Sequence, residues 1–270
     1  MGHILGNVGF PMGPTVSVVM PTRGRPTYVR RAVNSVLNQS FADFELLILD
    51  NSDDADKEEL REMSASDSRL RFVDRGDIGL TQARKLGAVL SKGKLYALLD
   101  SDDFWTSDRL QRHVNVWSHN HIGLSWDRWA EVRGSVVTKY PQPVSEGIIS
   151  PRTLATKLYK SNFIHASAGM VSAKFAKEFG FPMLDIMSSD WILFMRAAER
   201  YAAYFIGETL SFKETHSPQR VSDIESQRLL RKQNLAIQRW AVLHNPGIYG
   251  LEFIEARMNR LIRRLRNSSC

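Results

Sequence analysis

The order of apolar segments predicts an α/β fold: a mainly parallel sheet flanked by helices, followed by a helical C-terminal extension. Three observations carry this. Short strand-like runs alternate with segments of helical periodicity through the first half of the chain. The runs are apolar at nearly every position, as strands covered on both faces are. Each of the main runs also ends abruptly in polar or charged residues.

Residues 16–20 (VSVVM) form the first strand and stop at Pro21 and Thr22. The loop Arg23-Gly24-Arg25-Pro26 leads into a helix carrying Val29, Val33, Val36 and Leu37 at helical spacing, with Thr27 as its N-cap. Residues 45–49 (ELLIL) make a second strand closed by Asp50 and Asn51; a charged helix near 55–63 and a third strand near 70–73 follow. Gly79 opens an amphipathic helix with Leu80, Ala83, Gly87 and Leu90 on its inward face. The run Leu95 to Leu99 is the fourth strand, ending in Asp100-Ser101-Asp102-Asp103. A helix over about 107–118 then turns Leu110, Val114 and Trp117 inward.

Beyond this the pattern is more mixed. Residues 121–140 read as a hairpin turning at Arg133-Gly134, and Ser150-Pro151 starts a helix in cap-then-proline order. A strand over 167–172, a short helix stopping at Gly180 and an apolar helix over about 189–200 with Asp190 in its first turn come next. From residue 222 the pattern is helical, interrupted at Asn245-Pro246-Gly247. The expected organisation is a flexible leader over 1–14, a main α/β domain over 15–220 and a basic helical extension over 221–270.

Composition narrows the class. At 270 residues, 43% hydrophobic and 24% charged, the chain is of ordinary globular type. It has no fixed-period repeat and no apolar run near the ~18 residues that span a bilayer. The N-terminus lacks a basic-then-apolar signal layout. The single cysteine, Cys270, rules out an intramolecular disulfide and fits a cytoplasmic setting. Of the net charge of +7, most lies after residue 219, where ten Lys or Arg face four Asp or Glu. A nucleic-acid enzyme carries its basic surface on the main domain, so nucleic acid is not an expected partner.

Ligands of open α/β sheets bind beyond the carboxyl ends of the strands. Here those ends are Pro21-Thr22-Arg23, Asp50-Asn51-Ser52 and Asp100-Ser101-Asp102-Asp103, and all three are polar. Three carboxylates within four residues repel one another unless solvated or neutralised by a cation. Carboxylate and phosphate oxygens suit Mg²⁺ or Mn²⁺.

From Val16 to about Arg112 the chain resembles the inverting family 2 glycosyltransferases of GT-A (Rossmann-like) fold. The segments that carry the likeness are VSVVMPTRGRPTYVRRAVNSVLNQSFADFELLILDNS and GLTQARKLGAVLSKGKLYALLDSDD, continued more thinly by SSDWILFMR and HSPQRVS. The motif around FIHASAGM is most similar to the spore-coat polysaccharide type.

The resemblance implies that 15–220 is a catalytic domain, with 15–112 as its donor half and 113–220 as its acceptor half, and it implies residue roles. Pro21, Thr22 and Arg23 line the nucleotide base pocket, and Asp50 accepts from the base imide, which favours a UDP or dTDP donor. Asp102 touches the ribose, Asp103 ligates the metal (Mn²⁺ or Mg²⁺), and Asp100 supports them or meets the sugar. Arg84 lies near the diphosphate or sugar. Asp190 is the catalytic base, and His216 reaches the metal or diphosphate. Two departures stand out: Asn51-Ser52 replaces the commoner Asp-Gly-Ser, and Ser189-Asp190 replaces Glu-Asp.

The implied reaction is a single in-line displacement at the anomeric carbon, moving a sugar onto an acceptor hydroxyl. The acceptor is a sugar, a lipid-linked molecule or a small metabolite in polysaccharide or glycoconjugate biosynthesis. His165 and Trp126 are its candidate contacts, the alternatives being a core histidine and ordinary aromatic packing; Trp129 and Tyr140 lie in the same region. In the tail, residues 251–266 set Phe253, Met258, Leu261 and Leu265 opposite a row of arginines. That helix packs on the domain, forms a homodimer contact or lies peripherally on the inner face of an anionic membrane. The competing readings are a sugar nucleotidyltransferase, whose Gly-rich basic loop after the first strand is not evident here, and a non-catalytic sugar-binding protein on the same fold.

Overall fold

The computed structural model describes residues 13–23, 26–50, 54–74, 76, 78–182, 188–215 and 224–250. The expected leader (apart from residues 13 and 14), the Asn51-Ser52 turn, His216 and the basic helix over 251–266 lie outside the described residues.

Strands β1 (Val16–Thr22), β2 (Phe44–Asp50), β3 (Leu70–Asp74) and β4 (Leu95–Leu98) form a parallel block in the order β3-β2-β1-β4. β1 and β2 are buried at every position, which explains their unbroken apolar sequences. Their side chains still alternate between two cores. Val19, Leu47, Leu49, Tyr96 and Leu98 face one, and Val18, Met20, Leu46, Ile48 and Ala97 the other.

Helices α1 (Pro26–Leu37), α2 (Asp54–Ser66) and α4 (Arg109–His119) cover the second core through Val33, Leu60 and Leu110. The first core is covered by α3 (Leu80–Leu90), α5 (Pro151–Lys160), α7 (Ser189–Arg200) and α8 (Ile224–His244). The short helix α6 (Ala173–Phe175), running into a widened turn over Ala176–Gly180, completes that side. Helical backbone resumes over 246–250, past the interruption expected at Asn245-Pro246-Gly247.

Two local expectations shift. α1 begins at Pro26, so Thr27 lies inside the helix and proline takes the first helical position, where its missing N–H costs nothing. In α3 the buried residues are Thr81, Ala83, Arg84, Gly87 and Ala88, while Leu80 is exposed and Leu90 half-buried. A Cβ on Gly87 would lie 2.3 Å from Val19 Cγ1, so the glycine lets α3 press onto β1.

The second half extends the sheet from β4 in mixed directions, through β9 (Gly169–Ser172), β6 (Leu124–Arg133) and β10 (Ala203–Glu214) to β5 (Asp103–Trp105). β9 (Gly169–Ser172) is antiparallel to both β4 and β6 (Leu124–Arg133). β6 turns at Arg133 and Gly134 (φ 57°) into β7 (Val136–Lys139), the expected hairpin. The longest ladders are parallel, as the apolar runs imply, but five of the nine pairings among the described strands are antiparallel, which apolar patterning alone does not mark.

The longest strand, β10 (Ala203–Glu214), has no counterpart in the sequence reading. It runs parallel to β6 with register shifts between Ile206 and Ser211. On its other side it pairs first with β8 (Gly147–Ile149), then with β5 (Asp103–Trp105), setting Lys213 opposite Asp103. No helix among the described residues is long and apolar enough to cross a membrane.

Candidate active site

Because β1, β2 and β4 run in one direction, their carboxyl ends share an edge. Thr22 and Asp50 are register partners there, both buried. Pro21 is buried beside them, and Arg23 emerges into solvent. Leu99 donates to the Val19 carbonyl, continuing β4 to the same edge, and Asp103 N–H closes a tight turn on the Asp100 carbonyl at 2.9 Å. Asp102 is half-buried in that turn.

The acidic turn meets a histidine. Asp100, Asp103 and His165 each offer a ligand atom, and the three atoms lie within 4.8 Å of one another. His165 Nδ1 is 3.4 Å from Asp103 Oδ2. Burial pulls the His165 imidazole down to about 4, so the ring is neutral at neutral pH and the contact is not an ion pair. Burial, reinforced by the charges of Asp100 and Asp102, pushes the Asp103 carboxyl well above the ordinary range. Two carboxylates and a neutral imidazole, strained by their own repulsion, fit a hard divalent cation.

Arg84 links this cluster to Asp190. Its side chain is 2% exposed; Nη2 donates to Asp100 Oδ1 at 2.8 Å and Nη1 to Asp190 Oδ1 at 3.2 Å. Nη1 also lies 3.1 Å from Ser189 Oγ, and Tyr96 anchors the helix by donating to the Arg84 carbonyl at 2.9 Å. Burial works against the Arg84 charge, but Asp100 and Asp190 outweigh it and raise its pKa. Burial likewise works to raise Asp100, and Arg84 more than offsets it, leaving that carboxyl low.

Asp190 behaves differently. Burial raises it above the ordinary value, and Arg84 offsets only part of this. A place in the first turn of α7 favours the charged form. The lost hydration of a 7% exposed carboxyl outweighs the helix end. Asn162 Nδ2 faces its other oxygen at 3.5 Å.

The structure therefore brings Asp100, Asp103, Arg84, Asp190 and His165 together, and sets Thr22 and Asp50 on the same edge. Trp126 is a correction. It is 0% exposed, stacks on Phe205 at 5.3 Å and donates from Nε1 to Gln142 Oε1 at 3.2 Å, so it presents no face to a sugar. Strand alternation puts its neighbour three positions on, Trp129, nearer the site: Trp129 stacks on Tyr140 at 4.3 Å and lies 5.1 Å from the His165 ring.

Sequence reading also missed a buried polar layer behind the site. Arg109 Nε donates to Asp127 Oδ2 at 2.8 Å and reaches Ser211 Oγ at 2.9 Å, while His113 Nε2 lies 3.0 Å from the same Asp127 oxygen. Burial, then the Arg109 charge, lowers His113 to about 4 and keeps it neutral. The alternation of Arg109 and His113 with Leu110 on one helix was the available signal, but their partners lie on β6 and β10.

Known proteins agree with this architecture. Residues 17–180 match the model of the family described as Glycosyl transferase family 2. The chain is 28% identical over 130 residues to the Escherichia coli UDP-Glc:alpha-D-GlcNAc-diphosphoundecaprenol beta-1,3-glucosyltransferase WfgD, covering 47% of this chain and 51% of that one. Other bacterial relatives are longer still, and the match spans about a fifth of their length. Among solved structures, S. aureus TarS 1–349 in complex with UDP-GlcNAc superposes with a TM-score of 0.64 at 16% identity, over 83% of this chain and 66% of that one. The Pyrobaculum calidifontis mannosyltransferase PcManGT, in complex with GDP-Man and Mn²⁺, gives 0.60 at 16% identity, over 87% and 65%. The fold is GT-A, and the chain belongs to glycosyl transferase family 2.

Proposed function

We propose that this chain is an inverting, metal-dependent glycosyltransferase that moves a sugar from a nucleoside diphosphate to an acceptor hydroxyl. The observation that carries the reading is the Arg84 bridge, which ties a buried carboxylate (Asp190) to the acidic turn of the donor edge. A base beside a cation-suited cluster is what in-line displacement at an anomeric carbon requires.

Residues 15–112 form the donor half and 113–220 the acceptor half in this reading. Pro21, Thr22 and Arg23 border the base, Asp50 accepts from a uracil or thymine imide, and Asp102 meets the ribose. Asp103, with Asp100 and His165, holds Mn²⁺ or Mg²⁺, and the Mn²⁺ complex of PcManGT supports a site of this kind. When bound, the ion offsets the charge that grows on the departing diphosphate.

Asp190 takes the proton of the acceptor hydroxyl as the new bond forms. Its raised pKa makes it a stronger base than an exposed aspartate. Arg84 fixes one carboxylate oxygen and favours the ionised form against burial, and the low exposure of Asp190 excludes bulk water that would compete as acceptor. Trp129 and Tyr140 supply the aromatic wall on the acceptor side.

The GlcNAc-diphosphoundecaprenol acceptor of WfgD supports a lipid-linked acceptor for this chain. Incubation with a panel of UDP-, dTDP- and GDP-sugars, with Mn²⁺ and with chelator, tests the proposal. Metal-dependent release of a nucleoside diphosphate is expected. Formation of a nucleoside triphosphate and a sugar 1-phosphate when pyrophosphate is added would mark a nucleotidyltransferase, and binding without release a sugar-binding protein.

A further inference from the structure

We infer that Ser167 is a positioning residue that fixes the acidic turn in its metal-binding geometry. The inference rests on the metal-dependent reading above.

Asp100 and Asp103 stand at the two ends of one tight turn, and the Ser167 hydroxyl sits between them. It accepts from the Asp100 backbone N–H at 2.9 Å and donates to Asp103 Oδ2 at 2.6 Å. An amide N–H can only donate, so the single hydroxyl hydrogen of Ser167 is directed at Asp103.

Ser167 is itself held from three sides. Its carbonyl accepts from Trp105 Nε1 at 2.8 Å and lies 3.1 Å from Ser211 Oγ. Its N–H donates to His165 Nδ1 at 3.3 Å, in the single helical turn Ala166–Ala168 that leads into β9. Ser211 is in turn tied to Asp127 and Arg109, so the buried polar layer behind the sheet ends on the residue that orients the acidic turn. At 1% exposure, Ser167 touches no solvent and has no role as a ligand-facing hydroxyl. Residues of this kind typically alter metal affinity by about 10–100-fold.

The test uses the nucleoside diphosphate that binds wild type most tightly among UDP, dTDP and GDP, titrated calorimetrically with Mn²⁺ and with EDTA. Wild type is expected to bind more tightly with Mn²⁺, and Asp103→Ala to lose that gain. Ser167→Ala is expected to bind as wild type in EDTA while its Mn²⁺ gain shrinks by about 10–100-fold, and Ser167→Thr to recover it. A merely structural role would weaken binding equally with and without the ion. An undiminished Mn²⁺ gain in Ser167→Ala, with Asp103→Ala still deficient, overturns the Ser167 inference alone. Absence of any Mn²⁺ gain in wild type, or its persistence in Asp103→Ala, overturns the metal reading and this inference together. If Ser167→Ala does not fold, Trp105→Phe, which removes the N–H on the Ser167 carbonyl together with the second ring of the indole, must show a reduced Mn²⁺ gain that persists at temperatures well below its melting point; an unchanged gain overturns the inference.

Discussion

Arg84 and Asp190 are 106 positions apart in the chain and share a buried hydrogen-bonded ion pair of 3.2 Å. The same guanidinium holds Asp100 at 2.8 Å, so any charge change at the donor edge is felt, through one rigid planar group, at the proposed base. That coupling makes the two halves of the site separable by mutation.

Asp190→Asn keeps the shape of the side chain and an oxygen for Arg84 to donate to, but removes the ability to take a proton. Turnover is expected to fall by about 10²–10⁴-fold. Affinity for the nucleoside diphosphate, measured calorimetrically, is expected to stay within a factor of a few of wild type, since no described contact of Asp190 reaches the acidic turn except through Arg84. Normal turnover in this variant would mean that another group is the base.

Arg84→Met removes the cation between two carboxylates and should cost about 3–5 kcal/mol of stability, read from denaturant midpoints, because both are left without their shared partner. It also shifts the pH profile. Only ionised Asp190 acts as a base, so activity falls as pH drops through its pKa. Burial already raises that pKa above 3.8, and Arg84 is the main influence lowering it. The acid limb of kcat in Arg84→Met is therefore expected at higher pH than in wild type. A limb displaced to lower pH, or unmoved, would contradict the coupling.

Much of this was legible in the sequence, and the remainder was not for identifiable reasons. β1, β2 and α7 announce themselves because their apolar runs are long and end at polar residues. β10 does not: Gly207-Glu208 interrupts its pattern, and register shifts on both sides of Thr209 reset the alternation. Asp103 was recognisable from its acidic neighbours, whereas His165 joins it from 62 positions away, and nothing local marks that contact. The inward face of α3 was misjudged because an arginine is buried only where carboxylates await it, and Asp100 and Asp190 are distant information. Trp126 and Trp129 are indistinguishable in composition; strand register alone decides which one packs and which one borders the site.

Gly87→Ala tests the close approach of α3 to the sheet. An added Cβ would meet Val19 Cγ1 at 2.3 Å and Leu49 Cδ1 at 3.0 Å, so the helix carrying Arg84 must move outward. Overpacking of this kind costs about 1–3 kcal/mol. Because the displaced helix holds Arg84, turnover should fall more than the small stability loss accounts for, as compared at a temperature well below the melting point. A variant with native stability and native turnover would show that α3 has slack against β1.

The two tryptophans separate packing from recognition. Trp126 is fully enclosed, with Phe205 stacked on it and Phe163 edge-on at 6.1 Å, so Trp126→Ala is expected to lose about 3–5 kcal/mol in denaturant unfolding. Trp129 is half-buried, its ring layered against Tyr140 and beside His165, with Nε1 donating to the Phe163 carbonyl at 3.1 Å. Trp129→Phe keeps an aromatic face there and gives up that hydrogen bond, which is worth about 0.5–1.5 kcal/mol; Trp129→Leu gives up the aromatic face as well. If the Trp129–Tyr140 wall meets the acceptor, Trp129→Leu raises the acceptor KM well beyond Trp129→Phe, with nucleotide affinity unchanged in both. Equal acceptor KM values in the two variants would assign Trp129 to packing, leaving Tyr140 and His165 as the remaining candidates on that side.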